Sequence, residues 1–180
     1  MRIDEFKGRL RGGGARANLF RCNVFFPAVV NQQGDAAEEI QFLARSASLP
    51  GSTIEVGEIP FRGRTLKIPG NRTFEAWTLT IYNDTDFNIR NTFENWSDAI
   101  NTHVGNVQRV PGNNVFADLF QRATVDQLDG QGNTIKSYTF ENVWPSSVGS
   151  IDLSYDATSE IEQFEVTLEF PSCGLIFELR

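Results

Sequence analysis

Residues 67–87 read KIPGNRTFEAWTLTIYNDTDF. Pro69-Gly70-Asn71 predicts a turn, and the residues after it alternate strictly. Trp77, Leu79 and Ile81 share one face of a strand; Ala76, Thr78, Thr80 and Tyr82 share the other. Such a strand buries one side and wets the other, as in an antiparallel sheet. The segment NDTDF then offers Asp84 or Asp86 as a helix N-cap. Beyond it Ile89, Phe93, Trp96 and Ile100 fall on one stripe, which predicts a helix of about 17 residues. The sole histidine, His103, follows at the C-terminal end of that helix, where its charge would favour a capping role.

The same alternation recurs on both sides of this block. NLFRCNVFF (18–26) puts Phe20, Cys22, Val24 and Phe26 on one face and reads as a strand ended by Pro27. VNQQGDAAEE (30–39) reads as a polar loop, and Ile40, Phe42 and Ala44 as an alternating strand. Thr53–Ile59 and Arg64–Ile68 form a hairpin with FRGR near its bend. Pro60 marks that hairpin as an edge or projecting element, with apolar residues on both faces. ATVDQL and TIKSYTFENVW flank a DG-containing turn and form a second hairpin, stopped by Pro145. Ile151, Leu153 and Tyr155 pair in a third with Phe164, Val166, Leu168 and Phe170. Ile3, Phe6 and Leu10 suggest a short N-terminal helix, RGGGAR (11–16) a hinge, and FADLF (116–120) one helical turn. The count is about eight strands and one strong helix. It predicts a mainly β fold: an antiparallel barrel or sandwich of two packed sheets with one flanking α-helix. With 180 residues, the chain forms a single domain.

The charge balance narrows the function. A formal net charge of −7 argues against a nucleic-acid-binding surface, which needs a basic patch. The charge is also uneven. From Ser150 on, Asp152, Asp156, Glu160, Glu162, Glu165, Glu169 and Glu178 face only Arg180. Early in the chain Arg2, Lys7, Arg9, Arg11 and Arg16 outnumber Asp4 and Glu5, so copies could associate head to tail. The wet faces of the best strands collect Thr78, Thr80, Ser137, Thr139, Glu141, Asp152, Ser154, Glu165, Thr167 and Glu169, with no Lys or Arg. One reading is an ordinary solvated sheet. The other is a wall that a polyanion passes without sticking, because phosphate binding relies on Lys and Arg.

Chemistry is not indicated. One His and two distant Cys, Cys22 and Cys173, make neither a metal site nor a disulfide framework. Glu165 and Glu169, four apart on a strand, sit about 13 Å apart, too far for paired-carboxylate catalysis. No G-x-S-x-G elbow, P-loop or dinucleotide fingerprint is present. No enzyme and no cofactor are expected. No apolar run is long enough for a membrane helix, and the N-terminus lacks a secretory signal, so no membrane partner is expected.

Two longer segments carry a resemblance. GRTLKIPGNRTFEAWTLTIYNDTDFNIRNTFENWSDAIN (63–101) and NVWPSSVGSIDLSYDATSEIEQFEVTLEF (142–170) resemble the tail tube proteins of contractile-tailed bacteriophages. The second has the pattern W-P-x-x-V-G-x-I-x-L-x-[YW]-D…E-I-x-x-F-E-V-T-L. SLPGSTIE and NLFRCNVFF agree with the same family. The resemblance implies two packed sheets with a flanking helix, and a homo-hexameric ring whose inner strands continue between subunits. It implies stacked rings forming a hollow virion tube inside a tail sheath, bounded by baseplate and tail-terminator proteins. Double-stranded DNA would pass through that tube, and assembly would occur in the host cytoplasm. It also implies an acidic inner wall, which agrees with the ten wet-face residues above. Ring stacking would use residues 1–16 and the hairpin with Thr53, Glu55, Glu58, Phe61, Arg62 and Arg64. The loop Ala28–Glu38 and the tail 171–180 extend beyond the family pattern; the tail, with Leu175, Ile176, Phe177 and Leu179, would reach a neighbouring subunit. Two alternatives stay open: a baseplate-end initiator or connector of the same fold, and a small-ligand-binding β-barrel.

Overall fold

The computed structural model describes residues 3–10, 14–30, 36–108 and 118–176. Its organising strand is β5 (Trp77–Tyr82), in which Trp77, Leu79 and Ile81 are buried and Thr78, Thr80 and Tyr82 half-buried. β8 (Gln163–Glu169) runs antiparallel beside it and sets Leu168, Val166 and Phe164 opposite Trp77, Leu79 and Ile81. β2 (Ala44–Ala47) takes the other edge of β5.

The two layers are joined by one strand. β7 (Thr134–Val148) spans 15 residues. Its first part lies between β6 (Gln121–Leu128) and β9 (Ser172–Ile176), and its last residues pair with β8. β1 (Phe20–Val24) closes the far side, giving the order β1-β6-β7-β8-β5-β2. Two bulges let β7 change layers. At the first, Asn142 adopts φ 57 where the register with β6 shifts; at the second, the register with β8 shifts between Pro145 and Ser147. Bulges bend a strand and tolerate a residue without an N–H, so Pro145 does not stop the strand as expected.

The folded sheet closes over an aromatic core. Trp77 stacks on Phe140 at 4.8 Å between ring centroids, and Phe140 meets Phe170 at 4.9 Å. The space where a ligand-binding barrel would keep its cavity thus holds packed rings. α3 (Asn88–Ile100) buries Ile89, Phe93 and Trp96, with Ile100 partly buried, as its stripe predicts. Phe26 packs edge-on against Phe93 at 5.0 Å and Trp96 at 5.7 Å, and Trp96 Nε1 donates to the Leu119 carbonyl at 2.8 Å.

Several local expectations are corrected. Residues 36–43 are helical: α2 (Ala36–Leu43) buries Ala36 and Ile40, one turn apart, so Phe42 is exposed and the strand begins only at Ala44. Ala36, Ala37, Glu38 and Glu39 are good helix formers, and two apolar residues four apart suffice for the short buried face. α3 spans 13 residues, and neither Asp84 nor Asp86 caps it; Phe87 does, at φ 54 and without a side-chain bond. His103 Nδ1 lies 3.0 Å from Asp98 Oδ1 on the surface and caps no carbonyl. Ile151, Leu153 and Tyr155 lie on no strand, and Leu153 and Tyr155 are exposed. Pro69-Gly70-Asn71 is no turn but a bulge in β4 (Arg64–Phe74), where a Cβ on Gly70 would meet the Glu55 carbonyl at 3.0 Å. α1 (Ile3–Arg9) is present and buries nothing. Residues 11–13 of the expected hinge and 116–117 of the expected FADLF turn lie outside the described residues, while Asp118 and Leu119 are helical.

Trp77 tests the core. Its indole N–H has no partner among the described residues, so replacing it by Phe forfeits no hydrogen bond. Urea unfolding should show W77F costing about 1–2 kcal/mol and W77A about 3–5 kcal/mol.

Candidate functional site: an outer wall and a projecting arm

The ten wall candidates divide by layer. Thr78, Thr80, Glu165, Thr167 and Glu169 come together on the outer face of β5 and β8. Thr78 is directly opposite Thr167, and Thr80 opposite Glu165. Serines extend this wall at both edges. Ser46 pairs with Thr80, the Ser48 hydroxyl donates to the Thr78 carbonyl at 3.3 Å, and that of Ser146 to the Thr167 carbonyl at 3.2 Å. The expectation of no cation needs one correction. Arg45, in the β2 bulge, lies 5.8 Å over the Tyr82 ring and bonds Gln163 at the wall's end.

The remaining candidates lie elsewhere. Ser137, Thr139 and Glu141 sit on the outer face of the other layer, turned away from the β5–β8 wall. Ser137 donates to Asp126, and Glu141 pairs with Arg122 at 3.5 Å. Arg21 lies opposite Asp126 on that face, which therefore mixes both signs. Thr139 is buried there, its hydroxyl without a partner among the described residues. Asp152 and Ser154 belong to the non-strand segment between β7 and β8.

The arm is β3 (Ser52–Phe61) paired with β4, turned at Arg62 (φ 47) and Gly63 (φ 78). Positive φ at both central residues is the hairpin turn that matches strand twist. Thr53, Glu55, Glu58, Phe61, Arg62 and Arg64 are all exposed on it. Glu58 and Lys67 approach to 4.0 Å, and the Arg62 guanidinium lies 5.4 Å over the Phe61 ring. The apolar residues fall on both faces, as expected: Val56 lies opposite Pro69 on one side, and a denser apolar cluster takes the other. The register puts Ile59 opposite Leu66 and Gly57 opposite Ile68, with Phe61 on the same side. That greasy face is uncovered: Ile59 is 47%, Phe61 67%, Leu66 60% and Ile68 40% exposed. A two-stranded ribbon of this kind is marginal in water unless something packs on it.

The arm is also joined to the wall. The β2–β5 ladder continues past the sheet through Ser48 N–H to the Thr78 carbonyl (3.2 Å) and Glu75 N–H to the Gly51 carbonyl (3.1 Å), reaching the Ser52–Phe74 pair. The tail departs from expectation, since Ser172–Ile176 is β9 in the chain's own sheet. Phe177 and Leu179 lie outside the described residues.

Among the described residues, no three His, Cys, Asp or Glu side chains are grouped so as to hold a metal ion. The described surface has instead a hydroxyl and carboxylate wall and an uncovered arm, the equipment of a structural protein that assembles with others. Residues 15–172 match the phage tail tube protein family model, and the chain belongs to that family, a structural tail component and not an enzyme. It is 30% identical to the tail tube protein of Serratia phage KSP90 over 172 residues, 93% of each chain. It is 28% identical to the tail tube protein gp19 of Enterobacteria phage T4, over 93% of this chain and 96% of that one. The fold is similar to a chain of the PVC extracellular contractile injection system, in its sheath-tube complex in the extended state. That TM-score is 0.65 at 13% identity, over 98% of each chain. A chain of the anti-feeding prophage baseplate gives 0.60 at 11% identity, over 90% and 95%.

Two measurements test these surfaces. Because Ile59 and Leu66 lie on the uncovered face of the arm, I59D/L66D should leave monomer unfolding within about 1 kcal/mol of the parent while reducing self-association in sedimentation. Burial, aided by the Asp126 charge, pushes the Cys22 thiol up to about 12, and burial also raises Cys173. At pH 8 the Cys22 thiolate is then about one part in ten thousand. A thiol reagent should modify half-buried Cys173 first, and Cys22 only after unfolding.

Proposed function

We propose that the chain forms hexameric rings which stack as the inner tube of a contractile tail, with the β5–β8 wall lining the channel. The observation that carries this reading is the sorting of charge. Thr78, Thr80, Thr167, Glu165 and Glu169 share one face whose sole cation, among the described residues of β2, β5 and β8, is Arg45 at its end. A lumen of that chemistry lets double-stranded DNA pass without phosphate contacts. The opposite layer, with Arg21, Arg122, Asp126 and Glu141, suits contact with a surrounding tail sheath. Baseplate and tail-terminator proteins would bound the tube, which is a virion component assembled in the host cytoplasm. The whole chain acts as one tube domain, with residues 1–16, the arm and the last residues of the tail as contacts between subunits.

Electron microscopy of the purified protein tests assembly: rings and tubes are expected, and a protein that stays monomeric at every concentration excludes the reading. Phage carrying E165K/E169K should build tails at parental yield but eject DNA more slowly. Parental ejection rates in that phage would remove these residues from the lumen.

A further inference from the structure

Resting on the tube reading, we propose that the arm tip of one copy seats in the acidic cleft formed by residues 150–163 of the next copy along the tube axis. The cleft is a cavity of about 350 Å³. Leu153 and Ile161 line it, together with Asp152, Glu160 and Glu162. Leu153 is 78% and Ile161 67% exposed, so its apolar lining is open to solvent in the single chain. Residues 149–162 carry four carboxylates, Asp152, Asp156, Glu160 and Glu162, and no Lys or Arg.

The tip has the complementary chemistry. Phe61 lies under the Arg62 guanidinium and directly across the strand pair from Arg64. An aromatic flanked by arginines is the composition that anchors interfaces, and carboxylates around an apolar cleft are its electrostatic match.

Position makes the match directional. β5 runs from Trp77, where the ladder passes into the arm, to Tyr82, which pairs with Gln163 at the mouth of the cleft. Arm and cleft therefore occupy opposite ends of the same strand pair. The ribbon, ten residues on one side, reaches about 30 Å beyond the sheet. A contact between unlike surfaces at opposite ends repeats without closing, which generates a filament and not a dimer.

The test uses the full chain. F61C/L153C under mild oxidation should give a ladder of covalent multimers on denaturing gels, absent from either single variant with its native Cys22 and Cys173. R62E/R64E should lower tube yield about tenfold, D152K/E160K likewise, and the four changes together should restore it. Circular dichroism of each variant reports whether the monomer is folded. If the parent forms tubes but neither the ladder nor the rescue is seen in folded variants, this seat is overturned and the tube reading survives. If the parent forms no tubes, both fall together.

Discussion

The register of β5 against β8 is the constraint on which the rest depends. It sets Trp77, Leu79 and Ile81 against Leu168, Val166 and Phe164 on the inside, and Thr78 and Thr80 against Thr167 and Glu165 outside. A slip of one residue would exchange the two sets, because side chains alternate with a period of two. Burying Glu165 among the rings of the core would leave a carboxylate without water or a partner, which is strongly unfavourable. Core and wall are thus specified together: the apolar face that fixes the fold also decides which polar groups line the outside.

The aromatic stack turns that register into two layers. Trp77 belongs to β5 and Phe140 to the first part of β7, so their contact bridges the bend made at Asn142 and Pro145. β7 without its bulges would run straight past β8, and the two inner faces would not meet. The bulges are features of the fold, as bulges commonly are where a strand changes sheets.

Much of this was legible in the sequence wherever one face was buried and the other wet. The alternation of β1, β5 and β8 and the stripe Ile89-Phe93-Trp96 fall where periodicity puts them. The misreadings share a physical cause. Pro69, Gly70 and Pro145 act as breakers only when the chain has no alternative, and a bulge offers one. α2 was hidden because two turns of helix around Ala36 and Ile40 leave too short a pattern to separate from alternation at Ile40-Phe42-Ala44. Ile151, Leu153 and Tyr155 alternate as a strand does, yet no neighbouring strand is left to pair with them, since β8 is already flanked by β5 and β7. Pattern reports what a segment could do; the occupancy of its partners' edges decides whether it does so. For the site, the hydroxyl and acid wall was half legible. The faces of β5 and β8 are legible from alternation, but Thr139 is buried, Asp152 and Ser154 lie on no strand, and which strands share a layer depends on the bend in β7, which leaves no periodic trace.

The wall and the arm are one mechanical piece, since the β2–β5 ladder carries on through Gly51 and Glu75 into the ribbon. A hydrogen-bonded strand pair resists sliding of one strand along the other, because each step breaks every bond of the ladder at once. In the proposed tube, a push or pull at the arm tip would reach Thr78 and Thr80 without slack, keeping successive stretches of wall aligned along the axis. The same directness means that each added copy presents at its free end the contact the previous one presented. Unlike surfaces at opposite ends supply no built-in stop, so the chain itself does not encode the length of such a tube. That length must be imposed by whatever occupies the first and last ends.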